Sequence, residues 1–152
     1  MILREMTVQD VDRIYLLYED PRVTEYMEAL FSDPEEEKVY TQSYYRNVYC
    51  FYGFGIWLLE RKTDGELLGR AGLEVNENGE FVLGYMLAAK YQHQGYAYEA
   101  CQGILEYARE YLELEPEEII ACIEPENRAS VKLAEKLGIT IRWICLLYTS
   151  PS

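Results

Sequence analysis

A strand, a glycine turn and a long helix follow one another between residues 81 and 112, and this junction constrains the fold more than any other part of the chain. Residues 81–87 form a short apolar run, as a buried strand does. Beyond Gly95, small and apolar residues recur at helical spacing: Ala97, Ala100, Cys101, Ile104, Ala108 and Tyr111. The sequence therefore predicts a strand that leads through a tight loop directly into a helix.

The start of that helix is a candidate anion-binding site. The first N–H groups of a helix have no intrahelical partner, and the helix dipole places partial positive charge there. Gly95 has no Cβ that would keep a diphosphate away from these amides, and Ala97 leaves the first turn open. The loop predicts a phosphate-bearing ligand, and a glycine that serves only the turn is the alternative.

Two common nucleotide-binding loops do not match this stretch. A Walker-type loop needs glycine and lysine followed by serine or threonine, and a dinucleotide fingerprint needs three spaced glycines. Residues 92–97 read Gln-His-Gln-Gly-Tyr-Ala and satisfy neither pattern. Both nucleotide classes are therefore excluded for this loop.

The loop resembles the coenzyme A pyrophosphate loop of the GNAT N-acetyltransferases. The family pattern, Gln/Arg-x-x-Gly-x-Gly/Ala, is matched by Gln92, Gly95 and Ala97. Residues 127–138 resemble a second family segment, Asn-x-x-Ser…Glu-Lys-Leu-Gly, in which the asparagine and serine face the cofactor. The resemblance implies the α+β fold of this family, in which a central mixed and mostly antiparallel sheet carries helices on both faces.

The resemblance also implies acetyl-CoA as co-substrate. Its pantetheine arm would lie in a slot between two parallel strands that splay apart, at residues 81–87 and 118–123. The implied cofactor-binding residues are Met86, Leu87, Ala88, Gln92, His93, Gln94, Gly95, Tyr96, Ala97, Asn127 and Ser130. Asn127 as a simple helix cap and Ser130 as a first-turn residue remain the structural alternatives.

The implied reaction is direct attack of a neutral amine on the thioester, and it needs a base and an oxyanion donor. Glu74 is the first candidate base and Tyr85 the second, and the structural alternatives, which the residue types favour, are a solvated strand-end carboxylate and a packed tyrosine. Backbone N–H groups near Met86 to Ala88 are the candidate oxyanion donors. The family tyrosine that protonates the departing thiolate corresponds here to Ala134. The lone His93 we interpret as a loop residue.

The function implied is transfer of an acetyl group to a primary amine, either a protein N-terminus or a small amine. The acidic start of the chain, with its Asp-Pro step, resembles most the branch that includes ribosomal-protein acetyltransferases. A catalytically weak domain that binds CoA or a partner as a regulatory module is the alternative. An α+β fold without a cofactor is the third hypothesis.

Composition limits the partners. The chain has 152 residues, which fits a single domain over 1–152, and carries 14 basic against 27 acidic residues, a net charge of −13. This balance argues against nucleic acid and favours a cationic substrate, although ordinary solubility explains it too. Four scattered cysteines lack metal-ligand spacing and indicate reduced thiols, no metal and a cytoplasmic protein. No leader or 18-residue apolar run is present, so no membrane partner is expected.

The remaining elements follow from local signals. We predict a strand at 2–4, a helix capped by Thr7 with a buried stripe at Val11, Ile14, Tyr15 and Tyr18, and possible helical turns at 23–27. Asp33 and Pro34 predict the start of a helix that reaches Tyr49. Its tyrosines, at 40, 44, 45 and 49, line an acceptor pocket or serve as half-buried packing. Three antiparallel strands with glycine turns follow over 52–87.

The end of the chain departs from the family pattern. The family continues beyond Gly138 into a two-strand hairpin, whereas residues 139–147 supply one strand and 146–152 differ in composition from what precedes them. We expect a truncated or non-native end at about 146–152. An exposed edge strand would then favour a homodimer.

Overall fold

The computed structural model describes residues 1–19, 30, 32–49 and 52–144. In this part of the chain, apolar runs of strand length joined by two glycine turns form a β-sheet. The described residues form six strands and four α-helices. The strands are β1 (Ile2–Arg4), β2 (Ile56–Glu60), β3 (Leu67–Val75), β4 (Phe81–Leu87), β5 (Ile119–Ile123) and β6 (Thr140–Trp143). The helices are α1 (Val11–Tyr18), α2 (Pro34–Tyr44), α3 (Tyr96–Leu112) and α4 (Arg128–Leu137).

The sheet is mixed, in the order β1-β2-β3-β4-β5-β6. The first four strands are antiparallel, and both β4–β5 and β5–β6 are parallel. Gly65 and Gly79 stand at the two predicted hairpin turns with φ of 72° and 77°, a region that glycine adopts without strain. The predicted α+β fold and its antiparallel meander are therefore confirmed.

Helices cover both faces of the sheet. Side chains of a strand alternate between faces, so Arg70 and Glu74 of β3 share one face. Arg70 contacts Tyr18 of α1, and Glu74 contacts Tyr44 of α2. On the opposite face, Tyr85 of β4 contacts α4, while α3 packs on β3 and β4. This two-sided cover is the arrangement that the resemblance implied.

The α1 stripe differs from the prediction. Its buried residues are Val11, Ile14 and Leu17, whereas Tyr15 and Tyr18 are only partly buried. A 3-10 turn over Val8–Asp10 precedes the helix, and Thr7 caps that turn rather than the helix itself. The buried side of α1 therefore passes through Leu17. The turns expected at 23–27 lie outside the described residues.

Tyrosines from α2 and from the turn that follows it fix the start of β2. The helix ends at Tyr44, earlier than predicted, and a π-helical turn continues over Tyr45–Tyr49. The Tyr44 hydroxyl accepts the Ile56 N–H at 2.9 Å, and the Tyr49 hydroxyl donates to the Ile56 carbonyl. Both tyrosines are buried. Both tyrosines therefore pack in the core with hydrogen-bonded hydroxyls that hold a strand in place, and Tyr44 also contacts Glu74.

The last described strand, β6, pairs in parallel with β5, from Thr140 opposite Ile120 to Trp143 opposite Ile123. Asn127 caps α4, and Gly138 ends it with a φ of 77°, as the sequence predicts. The expected non-native segment at 146–152 lies outside the described residues.

Candidate active site

A gap opens between β4 and β5. The two strands pair only at Phe81 with Ile119 and Val82 with Ile120. Beyond these pairs β4 continues to Leu87 and β5 to Ile123 without further ladder contacts between them. The strands therefore diverge toward their carboxyl ends, as the resemblance implied, and the divergence leaves strand backbone without a strand partner.

The hydrogen-bond pattern identifies which residues of β4 face this gap. In an antiparallel ladder, alternate residues bond to the neighbouring strand. The Ala88 N–H donates to the Leu68 carbonyl at 2.8 Å, which assigns the even-numbered residues of β4 to β3. The odd-numbered Tyr85 and Leu87 therefore direct their N–H and C=O groups toward the gap.

This pattern corrects the expected set of oxyanion donors. The Ala88 N–H is already bonded to Leu68, and Met86, two residues earlier, also faces β3 through its backbone. The Met86 side chain is buried against Leu17 of α1. Of the three residues at the end of β4, only Leu87 offers its N–H to the gap.

The loop between β4 and α3 is held by side chains that bond to backbone. Gln92 Nε2 donates to the Leu87 carbonyl at 3.2 Å, and Gln94 Nε2 donates to the Lys90 carbonyl at 2.8 Å. His93 is exposed and adopts a φ of 63°. These contacts give the two glutamines a structural role that the motif alone did not indicate.

Gly95 opens the helix as its N-cap, with a φ of 85° and no side-chain cap. A Cβ built at Gly95 meets nothing within 4 Å, so the space in front of the helix start is free. Tyr96 and Ala97 form the first turn and are partly buried. Free amides, the positive end of the helix dipole and open space together fit a diphosphate.

Two cations that sequence spacing did not reveal lie beside Tyr91, which contacts the first residue of α3. The Arg61 guanidinium lies 5.2 Å from the centre of the Tyr91 ring, and Lys90 Nζ lies 5.1 Å from it. Tyr91 in turn packs edge-on against Tyr96. Arg61 belongs to the distant β2–β3 hairpin, so no local motif could have placed it here.

On one side of the gap, Tyr85 binds the start of α4. Its hydroxyl donates to Ser130 Oγ at 2.8 Å. Burial raises the pKa of Tyr85, which keeps the hydroxyl neutral. Asn127 Oδ1 accepts the Ser130 N–H at 3.4 Å, so Asn127 does cap the helix. Ala134, one turn later, is buried.

Glu74 lies on the other face of the sheet. It is exposed, and Oε2 accepts a 2.8 Å hydrogen bond from the Tyr44 hydroxyl. Burial and the nearby Glu74 charge raise the pKa of Tyr44, so Tyr44 remains a neutral donor. The structure therefore does not bring the two candidate bases, Glu74 and Tyr85, together.

A separate surface cavity of about 570 Å³ lies along α2. Its lining among the described residues is Glu35, Glu36, Val39, Tyr40 and Ser43. Tyr40 belongs to this exposed side, whereas Tyr44 is buried. Tyr40 is one of the tyrosines that the sequence offered for an acceptor pocket, whereas none of the predicted cofactor-binding or catalytic residues belongs to the described lining.

Neither a metal-binding cluster nor a membrane-spanning helix occurs among the described residues. No group of three or more histidine, cysteine or acidic side chains is placed to hold a metal ion. Within the same residues, no helix combines the length and apolarity that crossing a bilayer requires.

Comparisons with known proteins agree with this geometry. A family model described as "Acetyltransferase (GNAT) domain" matches residues 1–140. The uncharacterized protein YkkB of Bacillus subtilis (strain 168) is 33% identical over 141 residues, which are 90% of this chain and 80% of that protein.

Solved structures share the fold. A putative ribosomal-protein-serine acetyltransferase from Vibrio cholerae superposes with a TM-score of 0.72 at 22% identity, covering 90% of this chain and 77% of that one. A spermidine N-acetyltransferase SpeG chimera from Vibrio cholerae and hSSAT gives 0.70 at 19%, covering 90% and 79%. The fold therefore does not single out the ribosomal-protein branch that the sequence resembles most.

Proposed function

This chain belongs to the GNAT acetyltransferase family and is an acyl-CoA-dependent N-acetyltransferase, and we propose that it acetylates a primary amine, either a protein N-terminus or a small amine, by direct attack on the thioester of acetyl-CoA. The observation that carries the proposal is the gap between β4 and β5, which leads to the open start of α3. Such a path offers strand backbone to an extended arm and free amides to a diphosphate.

The diphosphate would lie on the N–H groups at the start of α3, in the loop formed by Gln92, His93, Gln94, Gly95, Tyr96 and Ala97. The arm would run along β4 beside the backbone of Leu87, with Asn127 and Ser130 on its other side. Acetyl-CoA supplies the activated acetyl group. The Leu87 N–H is the oxyanion donor we assign, because the N–H of Ala88 is already bonded.

Glu74 is the base we assign. Its carboxylate is exposed and can accept a proton from an amine, and the neutral Tyr44 hydroxyl orients it. Tyr85 is the weaker candidate because burial raises its pKa and a neutral phenol does not accept a proton readily. Tyr85 and Ser130 would instead contact the cofactor from the opposite face of the sheet.

A regulatory module that binds CoA without efficient chemistry is the second candidate. Ala134 favours it, since this buried alanine stands where the family places a thiolate-protonating tyrosine. The two candidates share the cofactor site and differ only in turnover.

Thermal stability with and without acetyl-CoA tests the shared part. A ligand present at 100 times its dissociation constant adds about 2.7 kcal/mol to the free energy of unfolding. Gly95→Asp should abolish this stabilisation, since it places charge and bulk in front of the helix amides.

Gly79→Asp is the matched control. Gly79 also has a positive φ, of 77°, and open space at its Cβ position, but it lies in the β3–β4 turn. A loss of stabilisation in Gly95→Asp alone supports the assigned loop, and acetylation of an amine panel by the wild type then separates enzyme from module. An acetyl-CoA response that is absent in the folded wild type, or unchanged in Gly95→Asp, contradicts the proposal.

A further inference from the structure

Arg70 stands near the middle of β3 and has poor hydrogen-bond partners for a partly buried cation. Its Nη1 donates to the Tyr18 hydroxyl at 3.0 Å, and its Nη2 approaches Met6 Sδ at 3.0 Å. A thioether sulfur is a weak acceptor. Arg70 Nε is buried and has no hydrogen-bond partner. The guanidinium is therefore only partly satisfied.

The other partly buried arginines in the described part of the chain all meet carboxylates. Arg4 binds Asp10 and Glu60, Arg13 binds Glu60, and Arg61 binds Asp64. Within residues 1–19, 30, 32–49 and 52–144, no carboxylate lies within ion-pair distance of Arg70. This contrast is not due to a shortage of acids, because the chain has 27.

An unpaired guanidinium of this kind contributes little to folding. Removing a cation from water costs free energy that neutral acceptors only partly restore, whereas an anion with fork geometry restores much more. Substituting an apolar residue of similar length is often neutral or stabilising at such a site. The Arg70 guanidinium also lies 5.9 Å from the centre of the Tyr18 ring, a cation–π contact that offsets part of this cost but brings no anion to the cation.

The position of Arg70 relates it to the acceptor side of the proposed site. Arg70 is paired with Met86, the neighbour of Leu87, so it lies beside the end of β4 that borders the gap. It also shares a sheet face with Glu74, four residues along the strand, or roughly 13 Å between Cα atoms.

Both charges influence the pKa of the buried Tyr49 hydroxyl. Burial is the main cause that raises the pKa of Tyr49, and the Arg70 charge lowers this pKa whereas the Glu74 charge raises it. The face therefore presents a cation next to the gap and a carboxylate further along the same strand.

We propose that Arg70 and the Tyr18 hydroxyl bind a carboxylate of the acceptor, so that the acceptor class is amino acids with a free α-carboxylate; this inference rests on the proposed function. The Tyr18 oxygen accepts from Arg70, which leaves its own O–H to donate to the same carboxylate. Met6 is a core residue, 2% exposed, and its unbranched side chain would have to shift away from Arg70 to open Nη2 and Nε to a bidentate contact. An amino acid would also present its amine to Glu74, which agrees with the acidic character of the chain.

The test uses alanine, leucine and phenylalanine, each as the free acid, the amide and the decarboxylated amine, with spermidine as a polyamine. Binding is measured as the rise in melting temperature of the full chain, with and without acetyl-CoA. We expect at least one free acid to stabilise the wild type more than its amide and amine do, and we expect Arg70→Met to lose this difference.

Arg109→Met is the control, since Arg109 is an exposed arginine on α3. Without ligand, Arg70→Met should melt at or above the wild-type temperature, because it removes an unpaired charge. In steady-state kinetics, kcat/KM should be about 10- to 100-fold higher for the free acid than for the amide, the ratio expected from one hydrogen bond to a charged group. Arg70→Met should abolish this preference.

Three results overturn the inference. One is that the free acid, the amide and the amine stabilise the wild type equally, or that none of the three stabilises it. The second is a melting temperature of Arg70→Met well below those of wild type and Arg109→Met, which would make Arg70 structural. The third is acetylation of spermidine as efficient as that of any amino acid. Failure of the proposed function is distinct, since it appears as a missing acetyl-CoA response.

Discussion

The Tyr85 hydroxyl donates a 2.8 Å hydrogen bond to Ser130 Oγ, and this bond joins β4 to α4 where β4 and β5 no longer pair. Glu74 lies on the opposite face of the same sheet, bonded to Tyr44. The two candidate catalytic side chains therefore lie on opposite faces of the sheet. A cofactor and an acceptor that meet in the gap would each contact one of them, so substitutions of the two residues should have different effects.

Glu74→Gln should lower kcat by about 100-fold or more while leaving the stabilisation by acetyl-CoA intact, because the substitution removes a proton acceptor and keeps its shape. The measurement is steady-state acetylation of the best amine alongside melting with acetyl-CoA. Glu77→Gln, in the exposed β3–β4 turn, is the control and should leave both unchanged. Full activity of Glu74→Gln would move the base to another group.

Tyr85→Phe should weaken acetyl-CoA binding, because it removes the hydroxyl that borders the gap. Its matched control is Tyr107→Phe, since the Tyr107 hydroxyl also makes a 2.8 Å hydrogen bond, to the Gly53 carbonyl, away from the gap. Each variant should lose about 1 kcal/mol of folding stability for one hydrogen bond. Calorimetric titration with acetyl-CoA then separates them, and equal affinities in the two variants would remove Tyr85 from the cofactor site.

Much of the fold could be predicted because its signals are local. Gly65 and Gly79 mark the turns of the meander, and Asn127 and Gly138 mark the ends of α4, where backbone conformation alone selects the residue. The glycine loop before α3 is of the same kind, since its conformation and its open space both follow from Gly95.

The remaining features depend on contacts between distant segments. The separation of Glu74 and Tyr85 onto opposite faces follows from the register of β3 against β4, which pairs Glu74 with Val82. The weakly partnered Arg70 is visible only once α1 covers the sheet, because its partners come from Met6 and Tyr18. No periodicity in the sequence carries this information.

Gly72→Ala should destabilise the protein by about 3 kcal/mol or more, because close backbone contact leaves no room for a methyl group. A Cβ at Gly72 would lie 2.0 Å from the Gly55 carbonyl oxygen of the neighbouring strand region. Gly103→Ala is the control: this exposed glycine of α3 has nothing within 4 Å of a Cβ, and alanine should stabilise the helix by up to about 1 kcal/mol. Urea denaturation measures both, and similar stabilities would contradict the close approach of the two segments.

Asp10→Asn should destabilise the protein at neutral pH and reduce the pH dependence of its stability. Asp10 is buried and binds Arg4 through both carboxylate oxygens, at 2.6 and 2.9 Å, and it accepts the Thr7 N–H at 2.8 Å. Burial pushes the pKa of Asp10 up, but the hydrogen bonds from Arg4 and Thr7 outweigh it and hold this pKa below the ordinary value of 3.8.

A carboxylate whose pKa is lower in the folded than in the unfolded state stabilises the protein above the unfolded pKa, and this contribution disappears as the pH falls through the folded pKa. Asp10→Asn should therefore cost about 2 kcal/mol or more at neutral pH, and the difference from wild type should shrink in acid. Urea denaturation from neutral pH to below 3.8 measures it. Asp64→Asn, at an exposed turn, should cost much less because solvent screens its pair with Arg61. A difference between Asp10→Asn and wild type that stays constant across this range would show that the Asp10 charge does not stabilise the fold.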